Sequence, residues 1–195
     1  MKNKKIHIAI FASGNGTNAQ AILEHFKDNN QVAIKCVYSN NQEAYALKRG
    51  QSFNIDTFSF NKNDFYHTNN VIDHLNNHKI DLIVLAGFMW LVPESLVKQF
   101  TIINIHPALL PNYGGKGMYG HHVHKAVIKN QEKESGITIH YVNNEYDKGN
   151  IILQEKCTIK SDDTPDSLAN KIHKLEHAHY PLTIEKIAQK LHSKG

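Results

Sequence analysis

Residues 5–29 read KIHIAIFASGNGTNAQAILEHFKDN, and this stretch decides the fold. It begins with an apolar run of strand length, KIHIAIFAS, and a glycine turn follows. After the turn, apolar residues recur at the spacing of a helix, at Ala21, Ile22 and Phe26. A strand that enters a helix through a short glycine turn is typical of the first unit of an α/β sheet.

The alternation of strand and helix continues through the first hundred residues. The run VAIKCVYSN predicts a second strand before a short helix at 43–50, and DTFSF predicts a weak strand before a long polar helix at 64–78. DLIVLAGF is a continuous apolar run, as expected for a parallel strand that is covered on both faces. The sequence therefore predicts an α/β fold with a doubly wound, mostly parallel sheet.

The second half of the chain has a different order of elements. We expect a strand at 102–108, a glycine-rich loop at 113–120 and a helix at 122–130. GITIHYVNNEYDKGNIILQEKCTI then predicts an antiparallel strand pair joined by a turn. A last helix is expected to begin at Thr164, with Pro165 in its first position, and to be interrupted at Pro181.

The linkers and repeats that separate domains are absent from the sequence, so we expect residues 1–195 to form a single domain. We expect two lobes within it, an N-terminal lobe over about 1–100 and a C-terminal lobe over about 101–195.

Composition narrows the classes of function. The net charge is +4, lysines are scattered among acids, and Arg49 is the single arginine, which argues against nucleic acid as a partner. The sequence contains neither an 18-residue apolar run nor a signal-peptide pattern, so we expect no membrane association and a cytoplasmic location. Cys36 and Cys157 lie in strand-like runs and are expected to be buried small residues.

Gly14, Gly16 and Ala19 spell G-x-G-x-x-A between a strand and a helix, which is the form of a dinucleotide fingerprint. That fingerprint also needs an acid at the end of the second strand, where this chain reads Tyr-Ser-Asn-Asn. A phosphate at the helix N-terminus, held by Gly16, Thr17 and Asn18, is the interpretation that remains. A plain tight turn without a ligand is the alternative.

Two histidine motifs resemble metal sites. HKLEH, from His173 to His177, has the form H-x-x-E-H of one group of metalloproteases. In a chain with 14 histidines such a short match arises by chance, and HHVH at 121–124 is interpreted as solvated histidines at a helix start. We therefore expect no metal.

Asn104 and His106 lie two residues apart at the end of a predicted strand, so their side chains project to the same side. An amide can stabilise an oxyanion, and an imidazole can move a proton near neutral pH. Asp147 lies in the turn of the neighbouring strand pair, where a carboxylate would favour the imidazolium form. These groups suit the attack of an amine on a carbonyl carbon.

With these residues assembled, the chain resembles the folate-dependent phosphoribosylglycinamide formyltransferases of purine biosynthesis. The segments that carry the resemblance are SGNGTNAQAI, DLIVLAGFM, INIHPALLP, SGITIHYVNNEYDKGNIILQ and LEHAHYPL. Asn-Ile-His-Pro alone is shared with methionyl-tRNA formyltransferase and formyltetrahydrofolate deformylase. The resemblance implies a Rossmann-like formyltransferase fold with 5-phosphoribosylglycinamide and 10-formyltetrahydrofolate as substrates and no metal. The sequence leaves the oligomeric state, monomer or homodimer, undecided.

The resemblance also assigns roles to residues of this chain. Gly16, Thr17 and Asn18 would bind the substrate phosphate, with His173 and Glu176 on the ribose side. Asn104 and protonated His106 would stabilise the tetrahedral oxyanion, and Asp147 would raise the pKa of His106. Thr138 and His140 would support them. The folate would be bound by Met89, Trp90, Leu91, Val92, Asn104, Asn143, Asn144, Glu145, Tyr146 and Asp147.

The sequence leaves alternatives open. Trp90 stands where many family members have an arginine, and Asn63-Asp64 stands where many have a basic residue, with Lys62 as a substitute. Recognition of the folate's glutamate tail is therefore undecided. A formyltetrahydrofolate hydrolase with the same catalytic residues is one alternative function, and a non-catalytic nucleotide-binding module is another.

Overall fold

The strands of the computed structural model, which describes residues 5–193, form one seven-stranded sheet. The strands are β1 (Ile6–Phe11), β2 (Val32–Ser39), β3 (Asp56–Ser59), β4 (Leu82–Leu85), β5 (Thr101–His106), β6 (Glu134–Tyr141) and β7 (Ile151–Thr158). Their order across the sheet is β3-β2-β1-β4-β5-β6-β7. The pairs from β3 to β5 are parallel, whereas β5 with β6 and β6 with β7 are antiparallel. The predicted fold class is confirmed.

Helices cover both faces of this sheet. They are α1 (Thr17–Phe26), α2 (Tyr45–Ser52), α3 (Lys62–Tyr66), α4 (Asn70–Asn77), α5 (Glu94–Gln99), α6 (His121–Lys129) and α7 (Pro165–His192). Within residues 5–193, none of these helices is long and apolar enough to cross a membrane.

Alternation along β1 divides the core into two layers. Ile8 and Ile10 pack into one cluster together with residues of α1, α2, α6 and α7. Ala9 and Phe11 pack into a second cluster with residues of α3, α4 and α5. Successive side chains of a strand point to opposite faces, so a strand that is apolar throughout must be covered on both sides. The continuous apolar run in β1 thus specifies a three-layer architecture.

The predicted long helix at 64–78 is wrong, because two short helices, α3 and α4, occupy this region. Asn61 and Asp64 form a reciprocal capping box at the start of α3. The hydroxyl of Thr68 accepts from the amide of Asn70 at 3.3 Å, and the Asn70 amide group donates to Asp64 at 2.8 Å. Such local side-chain bonds compete with a continuous helix and start a new one. The helix α5 was not predicted at all.

The predicted interruption at Pro181 is also wrong, because α7 continues through this residue to His192. A proline inside a helix removes one backbone bond and costs about 3 kcal/mol. Buried contacts on both sides of Pro181 offset this cost. Tyr180 donates its hydroxyl to the carbonyl oxygen of Leu85 at 2.9 Å, and Ile184 lies buried in the first core cluster.

The order of strands determines where a ligand can bind. The chain runs outward from β1 to β2 and β3 on one side, and later from β4 to β5 on the other. At such a reversal the loops that leave neighbouring strands diverge and open a crevice at the carboxyl ends of the strands. The glycine turn after β1, the segment after β4 and the end of β5 all meet there.

The loop between β6 and β7 is expected to tolerate no side chain at Gly149. A Cβ atom at this position would overlap the carbonyl oxygen of Tyr141, so Gly149→Ala must displace the loop. We expect a loss of stability on the scale of overpacking, about 1–3 kcal/mol. Thermal unfolding measures this, with a decrease in Tm of roughly 2–4 °C per kcal/mol for a chain of this length.

Gly14→Ala is the matched control for this substitution. An added Cβ at Gly14 would meet no atom within 4 Å. The control should therefore melt at the same temperature as the parent protein or slightly higher. Equal Tm values for the two variants would contradict the tight contact at Gly149.

Candidate active site

A cavity of about 510 Å³ lies at the carboxyl ends of β1, β4 and β5. It brings together residues that are far apart in sequence, from the glycine turn at 14–18 to Glu176. The predicted site residues that line it are Gly16, Thr17, Asn18, Met89, Trp90, Leu91, Val92, Asn104, His106, His140, Asn143, Glu145, Tyr146, Asp147, His173 and Glu176. Thr138 and Asn144 do not contribute to the wall.

Asn104, His106 and Asp147 lie together in this cavity. Asn104 and His106 share one side of β5, and Asp147 reaches them from the loop between β6 and β7. Asp147 Oδ1 accepts from Asn104 Nδ2 at 3.4 Å, and Asp147 Oδ2 lies 3.5 Å from His106 Nδ1. An amide, an imidazole and a carboxylate therefore meet at one point.

The protonation of His106 is constrained by its neighbours. Its Nε2 lies 2.7 Å from the carbonyl oxygen of Tyr113, and because a carbonyl can only accept, Nε2 must carry a proton. In a neutral ring, Nδ1 would then carry no proton, although it faces the carboxylate of Asp147. A second proton on Nδ1 would convert this contact between two acceptors into an ion pair.

Burial decides the resting pKa of His106. The ring is buried, which lowers its pKa, and the charge of Asp147 and the bond to Tyr113 raise it without cancelling the effect of burial. The pKa of His106 therefore lies below its ordinary value. Asp147 acts on this pKa in the predicted direction, and burial acts against it more strongly.

Asp147 itself is held as a carboxylate. Burial raises its pKa, but the His140 side chain, the charge of His106 and the amide of Gly115 together outweigh burial, so the pKa of Asp147 lies below its usual range. The Gly115 amide donates to Asp147 Oδ2 at 2.9 Å. The carboxylate thus contacts the glycine-rich loop as well as Asn104.

His140 orients Asn104. His140 Nδ1 lies 2.8 Å from the carbonyl oxygen of Tyr141, so Nδ1 carries a proton and donates to it. The other ring nitrogen, Nε2, lies 3.2 Å from Asn104 Nδ2 and 3.6 Å from Asp147 Oδ1, so it contacts both groups. Because the amide nitrogen of Asn104 is held by His140 and Asp147, its donor group stays turned toward the cavity.

Thr138 supports the site from outside the cavity. Its hydroxyl donates to the Ala108 carbonyl at 2.7 Å and accepts from the Leu110 amide at 3.0 Å. Gln154 Nε2 donates to the same hydroxyl at 2.9 Å. These bonds hold the segment that leaves β5 after His106.

Gly16 is the N-cap of α1 and has a left-handed φ of 73°. A Cβ at this position would lie 2.6 Å from the Cβ of Ala46, so glycine is required for packing of the turn against α2. Arg49 braces the same turn, because its guanidinium donates to the carbonyl oxygen of Asn15 at 2.8 Å and to its side-chain oxygen at 3.1 Å. The single arginine of the chain thus has a structural partner beside the turn.

Glu176 links the glycine turn to the last helix. Its carboxylate is buried and accepts from Asn18 Nδ2 at 3.0 Å and from His173 Nδ1 at 2.8 Å. Three predicted ligand residues therefore form one hydrogen-bonded group. Among residues 5–193, no group of three or more His, Cys, Asp and Glu side chains is arranged to hold a metal ion.

The opposite wall of the cavity is aromatic and apolar. Trp90 stacks on Tyr66 with a centroid distance of 5.9 Å, and Lys62 Nζ lies 6.0 Å from the Trp90 ring. The Tyr66 hydroxyl donates to the Leu91 carbonyl at 3.0 Å, and the Met89 amide donates to Ser13 Oγ at 3.0 Å. Met89 itself is 49% exposed at the rim.

His124 was misassigned from the sequence. His121 and His122 are exposed, as expected, but His124 is 3% exposed and lines the cavity. Its neighbours Val123 and Val127 mark the buried face of α6, and this apolar spacing was the available signal. Other lining residues that the sequence did not indicate are Asn15, Phe88, Lys116, Met118 and Tyr119.

Glu176→Gln tests the bond to His173. The hydrogen bond and charge of Glu176 raise the pKa of His173, so the variant should return this pKa toward its ordinary value. Because the pKa is raised on folding, the stabilisation is fully present below about pH 6.5. It is lost as the pH rises through the folded-state pKa. NMR titration of His173, together with unfolding at several pH values, measures both effects.

Glu185→Gln is the control, since it removes a carboxylate from the same helix that contacts His25 at 3.5 Å instead. It should leave the His173 titration unchanged. If Glu176→Gln also leaves it unchanged, the carboxylate does not set the pKa of His173.

Comparison with known proteins identifies the family. The sequence model of the formyl transferase family matches residues 6–184. The chain is 36% identical over 188 residues to the phosphoribosylglycinamide formyltransferase of Bacillus subtilis, which covers 92% of this chain and 93% of the relative. It is 38% identical over 183 residues to the chloroplastic enzyme of Arabidopsis thaliana, covering 89% of this chain but 62% of that longer relative.

Solved structures agree with these relatives. The phosphoribosylglycinamide formyltransferase from Anaplasma phagocytophilum has a TM-score of 0.87 at 37% identity, over 95% of this chain and 88% of that chain. Glycinamide ribonucleotide transformylase 1 from Geobacillus kaustophilus has a TM-score of 0.86 at 30% identity, over 95% of this chain and 100% of that chain. The chain therefore belongs to the formyl transferase family, among the phosphoribosylglycinamide formyltransferases.

Proposed function

We propose that the protein transfers the formyl group of 10-formyltetrahydrofolate to the amine of 5-phosphoribosylglycinamide, a reaction of purine biosynthesis. One observation carries the proposal. Asn104, His106 and Asp147 lie in a cavity that also contains the N-terminus of α1 and an apolar aromatic wall. The N-terminus of α1 suits the phosphate of the acceptor, and the aromatic wall suits the flat ring system of the donor. The amide, imidazole and carboxylate lie in the same cavity.

The ribonucleotide is proposed to bind at α1 and α7. Backbone amides at the N-terminus of a ten-residue helix attract a phosphate, which favours Gly16 and Thr17 as its ligands. The side-chain nitrogen of Asn18 is already bonded to Glu176, so we assign Asn18 to phosphate binding through its backbone. Glu176 and His173 would face the ribose.

The folate is proposed to lie along the apolar wall. Met89 to Val92 supply that wall. The loop between β6 and β7 lines the same cavity with Asn143, Glu145, Tyr146 and Asp147. Asn144 is exposed and does not line the cavity, so it has the least structural support among the proposed folate contacts. Lys62 beside Trp90 is the cation that we propose for the folate's glutamate tail.

The proposed chemistry begins with attack of the amine nitrogen on the formyl carbon. The new C–N bond forms while the carbonyl electron pair moves onto oxygen. Asn104 Nδ2 donates to this oxyanion with the hydrogen that its 3.4 Å contact to Asp147 Oδ1 releases. Collapse of the intermediate breaks the bond to the folate nitrogen. The proton lost by the amine passes through water to that leaving nitrogen.

His106 is proposed to become an imidazolium as charge develops, by taking a proton from water and returning it to water when the intermediate collapses. Its resting pKa is lowered by burial, but a negative oxygen beside the ring favours the charged form, and Asp147 adds to this effect. The separation of 3.5 Å between Nδ1 and Asp147 is longer than a strong charge-assisted hydrogen bond. We infer that Nδ1 donates its proton in a hydrogen bond to the oxyanion, and that Asp147 balances the positive charge of the ring.

Other proposals concern the protein as a whole. We retain a single domain over 1–195, with a nucleotide-binding lobe at about 1–100 and a folate and catalytic lobe at about 101–195. A cytoplasmic location, the choice between monomer and homodimer, and independence from metal stay predictions.

Hydrolysis of formyltetrahydrofolate by the same residues is the alternative activity. A spectroscopic assay of folate deformylation, run with and without 5-phosphoribosylglycinamide, separates the two. Transfer predicts deformylation only when the ribonucleotide is present and a formylated ribonucleotide as product. Formate release without the acceptor would instead favour the hydrolase. A parallel assay with a strong chelator tests the expectation of no metal, since activity should not change.

Asp147→Asn should lower kcat by roughly a hundredfold or more, on the scale of lost acid–base help, because the counter-charge of His106 is removed. His106→Ala should cause a similar loss. The double variant should be little worse than either single one, since residues that act as one unit are not additive. Steady-state kinetics of the three variants measures this.

The control for these variants is ribonucleotide binding by calorimetry, which should change little. Losses that multiply in the double variant would contradict the proposal that Asp147 acts through His106.

A further inference from the structure

His124 has no assigned part in the proposed reaction, although it lies in the same cavity. It belongs to α6, is 3% exposed, and shares the cavity wall with Asn18, His173 and Glu176. Its Nδ1 is buried and has no hydrogen-bond partner among residues 5–193. Buried polar atoms are almost always bonded, so an unbonded one in a cavity wall indicates a ligand group that completes it.

A second unpartnered atom lies on the same cavity wall. The Asn18 amide donates to the Glu176 carboxylate, which can only accept, so the orientation of the amide is fixed with its nitrogen toward Glu176. Asn18 Oδ1 is consequently the atom that stays buried without a partner among the described residues. This oxygen requires a hydrogen-bond donor. The helices α1 and α6, which carry these two residues, both pack against α7, which carries Glu176.

The charge of His124 restricts what it can bind. Burial lowers its pKa to about 4, the Glu176 carboxylate opposes this effect, and the imidazoles of His173, His121 and His106 add to it. At neutral pH the ring is therefore uncharged, with one N–H and one lone pair. An uncharged ring and an amide oxygen are poor ligands for a phosphate but good ones for hydroxyl groups, which both donate and accept.

We propose that His124 is a specificity residue for the ribonucleotide, and that its Nδ1 forms a hydrogen bond with a ribose hydroxyl beside Asn18 and Glu176. This inference rests on the proposed function, because that function supplies the ribose. His124 lies within electrostatic range of both Glu176 and His106. A bond at this place fixes the sugar on the side of the cavity from which its amine must reach the catalytic group.

The test compares His124→Phe, which removes hydrogen bonding, with His124→Asn, which keeps a polar group. His122→Phe is the matched control, since His122 lies on the same helix but is exposed and does not line the cavity. His124→Phe should raise the KM for 5-phosphoribosylglycinamide by roughly five- to tenfold, the loss expected for one hydrogen bond. The KM for 10-formyltetrahydrofolate should stay within about twofold. His124→Asn should fall between the parent and His124→Phe.

Ribonucleotides that lack the 2′- or the 3′-hydroxyl identify the group that His124 meets. For the analogue without the bonded hydroxyl, His124→Phe should cause little further loss relative to the parent protein. An equal loss with the natural substrate and with both analogues would overturn the assignment to the ribose.

The remaining outcomes separate this inference from the proposed function. Absence of formyl transfer in the parent protein and in His122→Phe would refute the function. Normal transfer with an unchanged ribonucleotide KM in His124→Phe, or equal increases in both KM values, would refute the role of His124. If circular dichroism shows that His124→Phe is unfolded, His124→Asn and His124→Gln decide the question by the same KM comparison.

Discussion

The antiparallel pairing of β5 with β6 is the constraint on which the candidate active site depends. Its register sets Asn104 opposite His140 and His106 opposite Thr138. The turn that follows β6 then returns Asp147 to the end of β5. A parallel neighbour would have sent its following loop away from β5 through a long crossover. The change from parallel to antiparallel pairing thus gathers the polar side chains at one point.

The charges at this point are stable only as a group. Burial disfavours the charged form of both His106 and Asp147. The carboxylate of Asp147 is the main group that favours a charged His106, whereas the His140 side chain, the charge of His106 and the Gly115 amide together favour a charged Asp147. A buried carboxylate with several donors around it holds its charge, whereas the imidazole with one carboxylate neighbour does not. The resting site therefore has a fixed anion next to an imidazole whose charged form is disfavoured by burial. In the proposed reaction, the imidazole gains a proton when a second negative charge develops beside it.

The two proposed binding surfaces, the glycine turn and the aromatic wall, belong to different parts of the fold. The glycine turn is held by Ala46 and Arg49 on one side and by Glu176 on the other, so it is preorganised without a ligand. The aromatic wall is built from a separate core layer, on the side of the sheet covered by α3, α4 and α5. Because each ligand surface belongs to a different layer, substitutions in one are expected to leave the other intact.

Much of this protein was readable from its sequence alone. Apolar runs and helical spacing determined the α/β class and most strands, because those patterns express burial directly. The two-residue spacing of Asn104 and His106 determined that their side chains share a face. Local signals failed where several weak effects compete, as in the break between α3 and α4 and in the continuation of α7 through Pro181.

The tertiary structure decided what depends on contacts between distant residues. Only the folded structure shows the hydrogen bond between Asn18 and Glu176 and the position of His124 in the cavity wall. It also shows that burial lowers the pKa of His106 by more than the charge of Asp147 raises it. Sequence spacing cannot supply these results. Hydrogen bonds across the fold and the loss of solvent around a charge arise only after the chain has packed.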